Sequence, residues 1–227
     1  ELDSLLEDVN GVFRYRDPLL HGCISSVTKH ILLMGGSATQ SYTQVIDLET
    51  NEIELKKSIR KSFKSLINWG ARELDIIIRT SKDIKFEDIQ SFKELHYIES
   101  GRRTRSDESW EAQYNMIKNN EAFLVTAFFN KELVSVGFFT MSSNSCYYGA
   151  SASRSDLFQK PLFHSIMWTA IKHGKKLNLK WFETGEQIYE GSKKELGISF
   201  FKAGFGGFTR GYFDVAYSHY TSKKSMS

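Results

Sequence analysis

Only two prolines and two cysteines occur among the 227 residues. With so little proline and no low-complexity run, no linker announces itself, and any domain boundary has to be argued from pattern. Cys23 and Cys146 lie far apart in strand-like surroundings, which excludes a disulfide framework and predicts buried free thiols in a reducing compartment. No apolar stretch approaches the roughly 20 residues that cross a bilayer, so the expectation is a soluble, cytoplasmic chain without a membrane span. An excess of charge of one sign is lacking as well. A formal net charge of +3 is small beside the concentrated basic face of a DNA-binding protein. The histidines, His21, His30, His96, His164, His173 and His219, are scattered without ligand spacing, so no metal site is expected. A G-x-S-x-G nucleophile elbow is missing, which argues against a serine hydrolase. The chain opens on Glu1 rather than methionine, which leaves residues upstream, including a removed targeting segment, an open matter.

What is present is a globular composition, 41% hydrophobic and 14% aromatic. Leu2, Leu5, Leu6 and Val9 predict a short helix over 1–10, and strands are expected over 12–16, 28–34 and 42–48, a β-rich leader occupying 1–50. Asn51 with Glu54 resembles a capping box, and Ile53, Ile59, Phe63, Leu66 and Ile67 carry one amphipathic helix from there to Gly70. Its outer lysines, Lys56, Lys57, Lys61 and Lys64, with Arg60, read either as a solvated face or as an attractor of phosphate. From Leu74 the expected order is β, α, α, β, β, β, α, β, α, β, with a two-residue hairpin turn at Asn130-Lys131. The main domain is drawn over 51–220 and a frayed tail over 221–227.

The chain is organised around 145–185. A strand containing Tyr148 passes through the small residues Gly149, Ala150 and Ser151, and then into a helix opened by Pro161. Leu162, Phe163, Ile166, Met167, Ala170 and Ile171 form its apolar stripe, with His164, Ser165, Trp168 and Lys172 opposite. A second strand follows at once over 179–184. Strand, helix, strand predicts a parallel pair joined by a crossover.

This order, with the hairpin FLVTAFFNKELVSVGFF, the strand YYGASAS, the segment IKHGKKLNLKWFETG, Leu196, the pair Phe201-Lys202 and the turn Phe205-Gly206-Gly207, resembles the GNAT acyltransferase superfamily and its Fem-type (FemAB-like) branch. The likeness covers 48–217 and implies an α+β fold. A mixed, mostly antiparallel sheet would have a central parallel pair and flanking helices, preceded by the β-rich leader. One departure stands out: RSDLFQKPLFH occupies the place of the usual glycine-rich pyrophosphate loop.

The resemblance implies transfer of an acyl group from acyl-CoA, as co-substrate, to an amine, with the thioester arm between the two parallel strands. Such chemistry needs a proton acceptor, a stabilised oxyanion and a leaving thiolate that can be protonated. Glu183, on the second strand, is the candidate base, with Glu186 as its alternative or as an acceptor contact. Tyr148 is a candidate acid or positioning group, and Lys202 matches the FK lysine near the transfer centre of Fem-type enzymes. Gly149, Ala150, Ser151, Arg154, Gln159, Lys160, Phe163 and His164 are the expected cofactor contacts. Arg102, Arg103 and Arg105 suit a phosphorylated acceptor such as a nucleotide-linked amino sugar of a bacterial surface polysaccharide. Each of these residues also has an ordinary structural reading, as core aromatic or exposed charge. Two other functions are compatible with the resemblance, an aminoacyl-tRNA-dependent transferase acting on a peptidoglycan precursor and a non-catalytic binding module. Apolar edges at Phe138, Phe139 and 212–218 allow a homodimer.

Overall fold

A computed structural model describes residues 11–19 and 22–218. The helix expected over 1–10 and the tail expected over 221–227 lie outside them, as do His21 and His219. The chain divides into two compact units, 1–43 with 209–227, and 44–208.

In the smaller unit, β1 (Val12–Asp17), most of β8 (Phe208–Ser218) and the start of β2 (Ser37–Asp47) lie in the order β1–β8–β2, with β1 antiparallel to β8. The strand expected over 28–34 is instead helix α1 (Ser26–Leu33). Ser25 caps it by accepting from the Thr28 amide, and Ile31 is buried with Val215 and Tyr217 while Val27 and Met34 pack alongside. Spacing of i, i+4 and i+7 was there to be read, but the β-branched residues favoured a strand on propensity alone. Cys23, expected to be buried, is exposed.

The larger unit begins at the end of β2 and runs through α2 (Glu52–Ser58), α3 (Lys61–Glu73), β3 (Asp75–Arg79), α4 (Phe86–Ser100), α5 (Asp107–Lys118), β4 (Ala122–Phe129), β5 (Glu132–Met141), β6 (Ser145–Ser153), α6 (Leu162–Lys176), β7 (Trp181–Glu186) and α7 (Lys193–Ala203). Its strands lie in the order β2–β7–β6–β5–β4–β3. The pairs from β3 to β6 are antiparallel and β6 with β7 is parallel, the expected mixed sheet. Asn130 and Lys131 both adopt positive φ, 51° and 67°, which matches the right-handed twist of the β4–β5 hairpin.

Both faces of this sheet are covered. Phe123, Val125, Ala127, Phe139, Cys146 and Phe182 point to α3 and α6, whereas Ala122, Leu124, Val136, Phe138, Ala150 and Ala152 meet α4 and α5. Strands buried on both sides read as continuous apolar runs, which is why 122–129 and 133–139 show no polar alternation.

The single helix expected from Asn51 to Gly70 is two. Ile59 (ψ 136°) and Arg60 (ψ 133°) are extended, and the Arg60 amide leaves the helical ladder for the Gly204 carbonyl at 2.9 Å. Gly204 is required there, because a side-chain carbon would collide with the Phe63 ring. Pro161 caps α6 from just outside rather than opening it. Trp168 and Ser165, expected on the polar side of that helix, are buried. Helix α3 lies against them: the Ser165 hydroxyl donates to the Ile67 carbonyl at 3.1 Å, and Gly70 leaves no room for a side chain beside it.

Candidate active site

Strands β6 and β7 are paired only at Ser145–Trp181, Cys146–Phe182 and Tyr147–Glu183. Beyond that point β6 continues to Ser153 and β7 to Glu186 without bonding to each other. The cause sits on the other side of β6. Its ladder with β5 matches Tyr148 to Phe139 and Ala150 to Phe138, so Gly149 is an extra residue, a bulge that bends the strand. The opening between strands therefore follows from one inserted glycine.

At the end of β6, a cavity of about 350 Å³ is lined by Ser153, the 158–164 segment that leads into α6, Leu66 of α3 and Phe201 of α7. Four expected cofactor contacts, Gln159, Lys160, Phe163 and His164, meet there. The walls are mainly aromatic: Phe163 lies 5.4 Å from Tyr148 and 6.1 Å from Phe201, and His164 lies 4.5 Å from Phe63 and 5.1 Å from Phe201.

Charge is sparse in this cavity. The Lys160 ammonium sits over Phe129 at 4.9 Å and Trp69 at 5.7 Å. Burial pushes the His164 imidazole down to about 4, partly offset by the nearby Pro161 carbonyl, and its buried Nδ1 has no hydrogen-bond partner among the described residues. Arg154 turns to another part of the surface, where it binds Asp156 and Glu132 at 2.6 Å each, contacts that raise its pKa. Gly149 makes the bulge, Ala150 belongs to the α4–α5 side of the core, and Ser151 bonds the Tyr148 hydroxyl at 2.5 Å.

His164 gives a pH signature. A histidine that binds its proton more weakly folded than unfolded leaves the unfolded chain with more protons between the two pKa values, so stability falls as pH drops from 6.5 toward 4. His164→Phe is expected to remove part of that loss, on the order of 1 kcal/mol after solvent screening. Urea melts of both proteins at neutral pH and near pH 4.5 measure it; equal losses would show that another group carries the titration.

A second group of side chains gathers at the end of β7. Glu183 faces away from the Cys146–Phe182 side and stands directly across from Tyr147, not Tyr148, whose ring lies on the α6 side with a pKa raised by burial. From α7 the Lys202 ammonium donates to the Glu186 carbonyl at 3.1 Å. Burial lowers its pKa, opposed by the carboxylates of Glu186 and Glu183. Gly185 (φ 95°) is the point of convergence: a side-chain carbon there would lie 3.2 Å from Lys202 Nζ and 3.5 Å from the Tyr147 hydroxyl. Glu183, Glu186 and Lys202 are thus brought together, with Tyr147 added by the structure. Tyr147 was legible only from register, since the paired tyrosines of YYGASAS are indistinguishable until the pleat is known.

The arginine loop joins α4 to α5. The Ser155 amide, just past β6, donates to Glu99 at 2.9 Å and so ties the end of α4 to the end of that strand. Arg103 pairs with Asp107 at 3.4 Å, Arg105 lies 5.4 Å over Trp110, and Arg102 is exposed. Among the described residues no group of histidine, cysteine or carboxylate side chains could hold a metal ion.

No protein-family model and no curated protein matches the sequence. Solved structures do. FemX superposes with a TM-score of 0.68 at 13% identity over 84% of this chain. L-PGS from Bacillus licheniformis gives 0.62 at 14% over 85%, and a tandem GNAT protein from the clavulanic acid biosynthesis pathway gives 0.52 at 12% over 92%. The chain covers 68%, 65% and 64% of those three chains, about two thirds of their length.

Proposed function

From a GNAT fold whose similar structures include the Fem-type protein FemX, we propose that this chain is an N-acyltransferase that moves an acyl group from a CoA thioester to an amine. The observation that supports this most directly is the parting of β6 from β7 beyond Tyr147 and Glu183, with a cavity at the end of β6. The acceptor amine attacks the thioester carbonyl. Glu183 takes the amine proton directly or through water, and the tetrahedral oxyanion is held by the Lys202 ammonium and strand amides. Collapse breaks the C–S bond, and the departing thiolate picks up a proton. The acceptor fitting the arginine loop carries phosphate, the best candidate being a nucleotide-linked amino sugar used in bacterial surface polysaccharide, in the cytoplasm.

Sparse charge at the start of α6 favours a second reading, in which the donor is an aminoacyl-tRNA. Arg154 is spent on two carboxylates, Lys160 lies over aromatic rings and His164 is neutral, so a diphosphate finds mainly backbone amides there. Calorimetric titration with acetyl-CoA and CoA separates the two: micromolar binding of either supports the thioester donor, and no heat from either removes it. Glu183→Gln is expected to lower kcat about a hundredfold with donor affinity unchanged; unaltered turnover removes Glu183 as the base. Arg102→Ala with Arg103→Ala is expected to raise the acceptor KM roughly tenfold and spare donor binding, since exposed charge-assisted contacts are worth about 1–2 kcal/mol. An effect confined to the donor KM would move that loop to the other substrate.

A further inference from the structure

Strand alternation puts a separate row of side chains on the outer face of β6 and β7. Cys146 and Phe182 turn into the core with α3 and α6, so Ser145 and Tyr147 of β6, and Trp181 and Glu183 of β7, stand on the other face. Register sets Tyr147 directly across from Glu183, and Trp181 lies two residues before that carboxylate on the same strand. The Phe208 ring, at the start of β8, joins the group 6.2 Å from the Trp181 ring and at 87° to it. Tyr147 and Phe208 are 40% and 44% exposed, and Trp181 is partly buried. Among the described residues these three aromatics belong to no hydrophobic core.

Aromatic surface kept outside the core and beside a carboxylate has a chemical use. The face of each ring carries the negative part of its quadrupole, strongest for tryptophan, and attracts a cation. Glu183 adds a full negative charge on the same face of the sheet. An anion is repelled by that combination and a neutral chain gains contact area alone, whereas a small organic cation uses both parts. Lys202 marks where such a site ends. Its ammonium is held by the Glu186 carbonyl at 3.1 Å, and a side-chain carbon at Gly185 would lie 3.2 Å from it and 3.5 Å from the Tyr147 hydroxyl.

We propose that Trp181, Phe208 and Tyr147, with Glu183, are the reception site for the acceptor, which they bind as an alkylammonium ion before it reacts. This role rests on the transferase reading for one point, that Glu183 then takes protons from the bound nitrogen. Of the two protons that leave nitrogen, one goes through Glu183 to solvent, which frees R–NH2 to attack, and the other ends on the departing thiolate. The class of acceptor follows. An aliphatic amine is protonated at neutral pH and is attracted; an arylamine or an alcohol is neutral there and is not. Acylation converts the ammonium to a neutral amide that loses both attractions, so the site that holds the substrate releases the product.

The test is binding without any donor, followed by fluorine NMR of the full chain with its four tryptophans replaced by fluorotryptophan. The Trp181 signal is the one that disappears in Trp181→Leu. Benzylammonium and benzyl alcohol share a ring and differ in charge, and the first is expected to shift that signal with at least about tenfold the affinity of the second. Tetramethylammonium, which has no N–H and cannot be acylated, is expected to shift it too, while the buried Trp110 and Trp168 stay in place. Tyr147→Leu is expected to weaken benzylammonium about threefold, and Glu183→Gln up to about fivefold. Thermal melting confirms that both variants are folded. Equal affinity for the alcohol and the ammonium, a Trp181 signal unmoved by tetramethylammonium, or binding indifferent to both variants overturns the proposal. Cation binding at Trp181 in a chain that binds neither acetyl-CoA nor CoA supports the site and removes only the transfer step.

Discussion

Replacing Lys202 by methionine is expected to lower kcat by about a hundred- to a thousandfold, the usual cost of losing one oxyanion-stabilising donor. Methionine keeps most of the stem that packs in α7 while removing the ammonium, so folding is expected to survive. The sign of the pH dependence follows from the environment. Burial lowers the Lys202 pKa, and Glu186 and Glu183 only partly restore it. A cation that acts as a donor is lost as pH rises through its pKa, so the wild type should show a basic limb below the ordinary lysine value of 10.5. That limb should vanish in Lys202→Met, and donor affinity should change less than twofold. Steady-state rates across pH, with donor affinity measured separately, check all three expectations. A variant that turns over like the wild type would place the oxyanion elsewhere.

Phe182→Ala is expected to cost about 3–5 kcal/mol, as for other fully buried phenylalanines. The ring is 0% exposed, lies 5.9 Å from Phe139 and stands beside Cys146 across the parallel pair. Close above it is Gly174 of α6, where a side-chain carbon would come within 3.7 Å of the ring. A domain of this size loses roughly 2–4 °C per kcal/mol, so the midpoint should fall by about 10 °C in a thermal melt. Since Phe182 clamps the last paired residues before the strands part, the same variant should also weaken donor binding. A melt displaced by less than a few degrees would mean that the core around α6 refills the space.

Much of the larger unit was legible because its signals are local. The hairpin with Asn130-Lys131, the Asn51 cap, and the alternation of helices and strands from 74 onward depend on neighbours in sequence. The β6–α6–β7 unit was equally plain, since a strand, a helix and a strand so closely spaced have few ways to pack. The errors share one cause, which is contact with residues distant in sequence. Helix α1 won over a strand because the sheet of the smaller unit offers Val215 and Tyr217 to Ile31. The break between α2 and α3 exists because Gly204, far along the chain, takes the Arg60 amide. Cys23 is exposed though its neighbours are strand-like, because burial is a property of packing and not of local pattern.

The site divides in the same way. Residue order marked Gln159, Lys160, Phe163 and His164 at one helix start, where they share a cavity, while Lys202 was marked by the family resemblance and stands with Glu183 in a second group at the end of β7. What only the tertiary structure decided is direction. A pleat that reverses every residue, and a bulge at Gly149 that adds one, determine that Tyr147 rather than Tyr148 meets Glu183. Competition among charges, which is settled in space, sends Arg154 to Glu132 and Asp156 instead of to the cavity.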